Sequence, residues 1–269
     1  MTIKVCIAGT TGWTGSVVAR HLLAAEGFEV TGAIARSAAG ADLGEVLGLP
    51  ANGVTVRSSL ADVLAGGAAV DVLVDYTDPV SVKPRTFEAL GHGIRVVIGT
   101  SGLTAEDFAE IEAEATAAGL GVIAAGNFSV TAALAKHFSL LAARHLRSWE
   151  VIDYASAGKV DAPSGTTREL AESLGEIAPS ELAVAIEQTH GERAARGATI
   201  GGTQVHSVRL PGFVIAFETL FGLPDERLTI RHDAGAGAEP YAAGTLLAVT
   251  RVMETTGLVR GLDVLLFGD

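Results

Sequence analysis

Over the first half of the chain, short apolar runs alternate with longer amphipathic stretches. The runs Val5 to Ala8, Val30 to Ala35, Val70 to Tyr76, Ile94 to Ile98 and Gly121 to Ala125 are short, β-branched and bounded by turn residues, so each predicts a buried strand. Between them, Ser16 to Ala25 carries Val17, Val18, Leu22 and Leu23 at helical spacing. Thr104 to Ala118 opens with Thr104 and Asp107 at the spacing of a capping box. Such alternation predicts βαβ units and an N-terminal, Rossmann-like parallel sheet of the α/β class.

The texture changes near Asn127. A helix is expected from about Thr131 to His145, a strand from Glu150 to Tyr154, then a loop rich in Ala, Gly, Asp and Pro, and a helical pattern from Thr167 to Leu174. Thr203 to Arg209, Val214 to Leu220 and Arg227 to Ile230 read as strands separated by Pro211-Gly212 and Gly222 to Pro224, which predicts an antiparallel or mixed sheet in a second, α+β domain. A closing helix is expected over Tyr241 to Thr255, and no internal repeat interrupts the pattern.

Composition narrows the function classes. A formal net charge of −12 without any basic run argues against a nucleic-acid binder. The lone Cys6 lies in an apolar run and reads as a buried strand residue, and no apolar run is long enough to span a membrane, so a cytoplasmic protein without a membrane partner is expected. The seven histidines lack the spacing of a zinc site, so no metal is expected. His206 and His232, in the strand-rich region, read as structural. Neither a Walker loop nor a GxSxG elbow is present, and Glu150 and Asp153 are expected to face solvent or cap a turn, without a catalytic role.

Chemistry concentrates at Gly9-Thr10-Thr11-Gly12-Trp13-Thr14-Gly15, which follows a strand and opens a helix. Gly9 permits a sharp turn, Gly12 lets backbone approach a pyrophosphate, and Gly15 lets helix and strand approach closely. The helix start faces the anion with N–H groups and a positive dipole end. At the end of the second strand stand Ala35, Arg36 and Ser37, where a carboxylate would bind a ribose 2′-hydroxyl. With Arg36 there, a 2′-phosphate finds a cation, so NADPH is expected to be preferred to NADH.

The string Lys159-Val-Asp-Ala-Pro-Ser-Gly-Thr166 resembles the dihydrodipicolinate reductase family. So do Gly9 to Gly15, Asp75-Tyr76-Thr77, Gly99-Thr100-Ser101-Gly102, Gly126-Asn127-Phe128-Ser129, His206 to Gly212 and Arg227 to His232, all in the family's order. The resemblance implies an NAD(P)H-dependent reductase of a small cyclic imine or enoate carboxylate. It implies a dinucleotide domain of residues 1–127 plus about 238–269, and a substrate-binding and oligomerisation domain of residues 128–237 whose sheet builds a homotetramer. Lys159 would assist protonation or hold substrate, Ser164, Gly165 and Thr166 would grip its carboxylate, and Gly99 to Ser101 with Gly126 to Phe128 would line the nicotinamide site. Tyr76 and Thr77 join the expected cofactor residues. Independently, Pro163 to Thr166 precedes a helical pattern and so places backbone N–H groups and hydroxyls at a helix start, which suits a carboxylate.

The chain departs from the family's pattern where two adjacent histidines usually precede the lysine motif; here Ala155 and Ser156 stand instead. Alanine has no proton to give and a serine hydroxyl is a far weaker acid than imidazolium. Ser156 is nevertheless carried as a candidate catalytic residue beside Lys159. Three readings follow: the family's reductase, a paralogue that reduces a different imine outside lysine biosynthesis, and a non-catalytic dinucleotide sensor.

Overall fold

Strands placed side by side by the alternating runs all point the same way. In a computed structural model describing residues 2–268, the chain runs β1 (Ile3–Ala8), α1 (Trp13–Ala24), β2 (Phe28–Ile34), α2 (Leu43–Val46), β3 (Val56–Arg57), α3 (Leu60–Ala65), β4 (Val72–Asp75), α4 (Pro79–Gly91), β5 (Arg95–Ile98), α5 (Ala105–Ala118) and β6 (Gly121–Ala124). It continues through α6 (Val130–Ala143), β7 (Trp149–Ala155), α7 (Gly165–Ile177), β8 (Ala198–Ile200), β9 (Thr203–Arg209), β10 (Ile215–Leu223) and β11 (Glu226–Ala234). It closes with α8 (Pro240–Arg251), β12 (Gly257–Arg260) and α9 (Leu262–Phe267). Two units result, Met1–Val130 with Ala238–Asp269, and Thr131–Gly237.

The first unit is built on a seven-stranded sheet in the order β12-β6-β5-β4-β1-β2-β3, with every pairing parallel. A central parallel strand has helices on both faces, so it must be apolar throughout; Val5, Cys6, Ile7 and Ala8 accordingly have no exposed surface. Burial pushes the Cys6 thiol up to about 12, which leaves it an inert core residue. The strand order reverses between β1 and β4, and ligands of open α/β sheets bind beyond the carboxyl ends of the strands at such a point.

Local codes end the helices where expected. The capping box forms: Asp107 N–H donates to the Thr104 hydroxyl at 3.1 Å and Thr104 N–H to the Asp107 carboxylate at 2.9 Å, while α5 stops at Gly119 with φ of 67°. Three strands lie outside the expected set. β3 has two residues and β8 three, too few for a period; β12, Gly257–Arg260, carries only two apolar residues and pairs with β6. The expected closing helix is shorter, since α8 gives way to a 3₁₀ turn at Val252–Glu254.

The second unit holds a five-stranded mixed sheet, β11-β10-β7-β9-β8, in which only β7 and β9 pair in parallel. One face packs under α6 and α7: Trp149, Val151, Val205, Phe217 and Phe221 meet Ala132, Ala135, Leu170 and Leu174. The Trp149 indole N–H donates to the Thr203 hydroxyl at 3.0 Å, so the largest buried side chain leaves no polar atom without a partner. Ile152, Tyr154 and Leu220 lie in the opposite phase of the strands.

Candidate active site

Every residue singled out for the dinucleotide lies at or just beyond the carboxyl ends of β1, β2, β4, β5 and β6, on one edge of the parallel sheet. The three glycines of the turn serve different ends. Gly9 has φ of 91°, and a Cβ there would stand 2.3 Å from the Tyr76 carbonyl oxygen, so β1 and β4 meet only if this residue is glycine. A Cβ at Gly15 would stand 2.2 Å from the Gly9 carbonyl oxygen, which fixes how closely α1 approaches the turn. At Gly12 the nearest atom would be 3.1 Å away and φ is −77°, so the turn itself demands glycine less strongly. Room for an approaching ligand remains as the reason, and the cradle fits a pyrophosphate.

The neighbours complete this cradle. Thr10 is fully buried and its hydroxyl has no partner among the described residues, whereas the Thr11 hydroxyl lies 3.4 Å from that of Ser37. Trp13 is 60% exposed and meets Tyr241 edge-on at 5.8 Å; Thr14 is half-buried in the first turn of α1. Arg36 opens a 3₁₀ turn after β2 with its guanidinium in solvent, 4.0 Å from the Asp78 carboxylate. Asp78 is itself held in place as the cap of α4, accepting from the N–H groups of Val80 and Ser81 and from the Ser81 hydroxyl.

Behind the cradle stands a polar knot that sequence reasoning passed over. Asp75, fully buried at the end of β4, accepts from Thr77 N–H at 2.9 Å, the Thr77 hydroxyl at 2.6 Å and the Thr100 hydroxyl at 3.0 Å, and forms an ion pair with Arg85. Thr77 and Thr100 therefore shape the edge through Asp75 rather than by pointing hydroxyls outward. Tyr76 lays its ring against Gly99, where a Cβ would stand 2.0 Å from it, and its hydroxyl is bonded to that of Thr245 at 2.6 Å. Burial holds its phenol far above the usual range, so it is no proton donor at neutral pH. Phe128, expected to line the nicotinamide site, is 1% exposed and packs edge-on against Tyr76 at 6.1 Å, so it backs that wall. Gly126 and Ser101 are exposed, and Asn127 accepts from Ser129 N–H at 2.8 Å, a local turn that shapes the loop after β6.

The second unit carries the carboxylate motif on the loop between β7 and α7. Lys159 N–H donates to the Ser156 carbonyl at 3.0 Å, and the Lys159 ammonium lies 2.8 Å from the Asp161 carboxylate. That ammonium holds the Asp161 carboxyl below the usual carboxylate range. Gly165, first residue of α7, is exposed with open space around its Cα, and Thr166 is half-buried beside it. Ser156 is exposed, but Ala155 is fully buried in the inward phase of β7.

One expectation is corrected here, and one expected ligand residue has partners of its own. Ser164, expected to grip a carboxylate, is 1% exposed; its N–H donates to Asp153 at 3.0 Å and its hydroxyl to Asp153 at 2.6 Å. Glu150 and Asp153 were expected at the margins of a strand, in solvent. Both lie within β7, on opposite faces. Glu150 accepts from Arg196 at 2.5 Å and from His206 at 2.7 Å, which makes His206 a structural histidine. Asp153 is fully buried and accepts in addition from Thr167 at 2.9 Å, Ser207 at 3.2 Å and Arg209 at 2.7 Å. The signal was the strand phase, because Asp153 follows Trp149 and Val151 at a spacing of two and so shares their buried face.

Burial alone would raise the Asp153 carboxyl, but Ser164, Arg209 and Thr167 outweigh it and hold it below the ordinary carboxylate range. A depressed carboxyl contributes stability that is present above its unfolded value of about 4 and is lost as pH falls through its folded value. Thermal unfolding followed by circular dichroism should therefore show a midpoint that falls on acidification below about pH 4, and an Asp153→Asn variant should show a shallower fall over the same range.

Among the described residues, no group of three or more His, Cys, Asp or Glu could hold a metal ion, and no helix is long and apolar enough to cross a membrane. Two family models match, the N-terminus of dihydrodipicolinate reductase over residues 3–128 and its C-terminus over residues 128–266. The chain is 39% identical to the 4-hydroxy-tetrahydrodipicolinate reductase of Moorella thermoacetica, over 98% of each chain. It is 36% identical to that of Synechococcus elongatus, again over 98% of each. Among solved structures, dipicolinate-bound dihydrodipicolinate reductase from Paenisporosarcina sp. TG-14 matches with a TM-score of 0.85 and 33% identity, covering 98% of this chain and 99% of that one.

Proposed function

The chain belongs to the dihydrodipicolinate reductase family, NAD(P)H-dependent oxidoreductases, and from that premise we propose that it reduces a C=N or conjugated C=C bond of a small cyclic carboxylate, with NADPH preferred to NADH. The observation that carries this reading is the loop from Lys159 to Thr166, which offers an ammonium and, at Gly165, an exposed helix start to a carboxylate. When bound, the dinucleotide supplies hydride. Gly12 and the amino end of α1 hold its pyrophosphate, Arg36 its 2′-phosphate, and Tyr76, Gly99 and Gly126 shape the nicotinamide side. Thr166 and Gly165 hold the substrate's carboxylate, and Lys159 either pairs with it or delivers a proton from Nζ.

The proton is where this chain differs. With Ala155 and Ser156 in place of the family's histidines, an uncharged C=C acceptor must draw its proton from Lys159 or water. A substrate already protonated as an iminium needs none, since hydride addition to carbon completes the amine. This favours imine reduction, and it favours a substrate other than the lysine precursor. The test follows NADPH oxidation with 4-hydroxy-tetrahydrodipicolinate formed in situ, alongside a panel of cyclic imines. Turnover of the lysine precursor at ordinary enzyme rates sinks the altered-substrate reading, and no oxidation with any acceptor favours the dinucleotide sensor.

Cofactor preference has its own test. Arg36→Ala should weaken NADPH binding about tenfold, the worth of roughly 1.4 kcal/mol, and leave NADH unchanged, as read by fluorescence titration. Asp78→Asn keeps a good helix cap while removing the carboxylate 4.0 Å from Arg36, so it should raise the preference for NADPH. Equal losses for both cofactors in Arg36→Ala would remove Arg36 from the 2′-phosphate site.

Assembly as a homotetramer is part of the same proposal, through the face of the second sheet that bears Ile152, Tyr154 and Leu220. Light scattering on the eluting protein should give four times the 27.4 kDa chain mass, and Leu220→Arg should lower it.

A further inference from the structure

We infer that Asp153 is the positioning residue of the substrate loop, setting where Lys159, Gly165 and Thr166 stand without itself touching the substrate. The inference rests on the reading of that loop as the carboxylate site. Between Ser156 and Ser164 the chain is mostly exposed, with Val160 99% exposed, so apolar packing does little to hold it. What holds it is a single buried carboxylate with five donors: Ser164 N–H, the hydroxyls of Ser164, Thr167 and Ser207, and the Arg209 guanidinium.

These contacts reach both ends of the loop. At its far end, Ser164 is fixed by two bonds to Asp153, and the next residues are Gly165 and Thr166. At its near end, Arg209 Nη2 donates to Asp153 at 2.7 Å and also to the Asp161 carbonyl at 2.6 Å, while the Asp161 carboxylate holds the Lys159 ammonium. Arg209 Nε is buried without a partner among the described residues, so the guanidinium is oriented for these bonds and not for the satisfaction of all its own donors. Asp153 thus governs the ammonium through Arg209 and the helix start through Ser164.

A buried ion pair that only stabilises the unit would lower stability on substitution and leave the catalytic constants of the folded protein alone. A positioning residue would change them, because misplacement of a binding group by about 1 Å can lower a rate by about 10²-fold. In full-length protein supplied with NADPH and whichever acceptor of that panel the parent reduces, 4-hydroxy-tetrahydrodipicolinate formed in situ or a cyclic imine, Asp153→Asn should lower kcat/KM by about 10²-fold while the NADPH dissociation constant stays within about twofold. Asp153→Glu, which keeps the charge, should recover part of the loss. Should Asp153→Asn fail to fold, Ser207→Ala and Arg209→Lys perturb the same carboxylate more gently, and Arg209→Lys should raise KM at a thermal midpoint close to that of the parent.

A double-substitution cycle gives the sharper reading. If Ser164 acts through Asp153, Ser164→Ala adds little in the Asp153→Asn background, or in the Arg209→Lys background if that is the variant that folds. If Ser164 touches the substrate, the two losses multiply, and the inference fails. It also fails if Asp153→Asn or Arg209→Lys lowers the thermal midpoint yet leaves kcat/KM unchanged. A parent protein that oxidises NADPH with no acceptor of the panel, or a Lys159→Ala variant as active as the parent, overturns instead the reading of the loop on which the inference stands.

Discussion

Replacing Lys159 by alanine should lower kcat/KM by about 10²- to 10³-fold and leave NADPH binding unchanged. The ammonium lies 2.8 Å from Asp161 on a loop pinned at both ends, so its removal takes away the loop's own cation and leaves the Asp161 carboxylate, half in solvent, near where the substrate's carboxylate would bind. The substrate then loses an attraction and meets a like charge, and both effects raise KM. Whether kcat falls as well decides between two roles. A group that only binds substrate changes KM, whereas one that gives up its proton in the transition state changes kcat too. Lys159→Arg separates them further, because arginine keeps the charge but does not release a proton in the working pH range. The expected pattern is partial recovery of KM with kcat still low if Nζ is the acid, and recovery of both if the substrate arrives as an iminium. NADPH oxidation in Lys159→Ala as fast as in the parent would exclude Lys159 from the chemistry.

The legibility of this molecule in its sequence follows the range of the interactions involved. The turn from Gly9 to Gly15, the capping box at Thr104 and Asp107 and the runs that became β1, β4, β5 and β6 are written in neighbouring residues, and a local pattern suffices to read them. β12 could not be read in this way, since Gly257–Arg260 has only two apolar residues between a glycine and an arginine and becomes a strand by pairing with β6 far away in the chain. Asp153 was misread for a related reason. A carboxylate in the buried phase of a strand is costly unless donors surround it, and its donors come from Ser164, Thr167, Ser207 and Arg209, the last 56 residues away. The bonds of Ser164 to Asp153 were out of reach with it, because a serine before a helix reads as a cap or a ligand until the buried carboxylate beside it is known. The motif marks the loop between β7 and α7 in the chain; only the tertiary partners tell which of its residues face inward.

Gly15→Ala should abolish measurable NADPH binding by displacing the fold, and Gly12→Ala should weaken it about 10- to 100-fold with the fold intact, the loss expected from keeping backbone off a pyrophosphate. The geometry separates the two. At Gly15 the new methyl would stand 2.2 Å from the Gly9 carbonyl oxygen and 2.8 Å from its carbon, both backbone atoms of a turn that is itself locked by Gly9 against Tyr76. Nothing flexible can give way, so α1 must move off β1, and a loss of about 3 kcal/mol is the scale of a buried backbone clash. For a protein of this size that lowers the unfolding midpoint by roughly 6 to 12 °C. At Gly12 the methyl would stand 3.1 Å from the same oxygen, a contact relieved by a few tenths of an ångström, and the backbone already has a conformation open to alanine. Stability should change by less than about 1 kcal/mol, while the methyl projects where the pyrophosphate must come close to backbone N–H groups. Calorimetric unfolding paired with fluorescence titration reads both quantities on both variants. A Gly12→Ala protein that binds NADPH like its parent would mean that the turn, for all its resemblance to a phosphate cradle, holds the dinucleotide elsewhere.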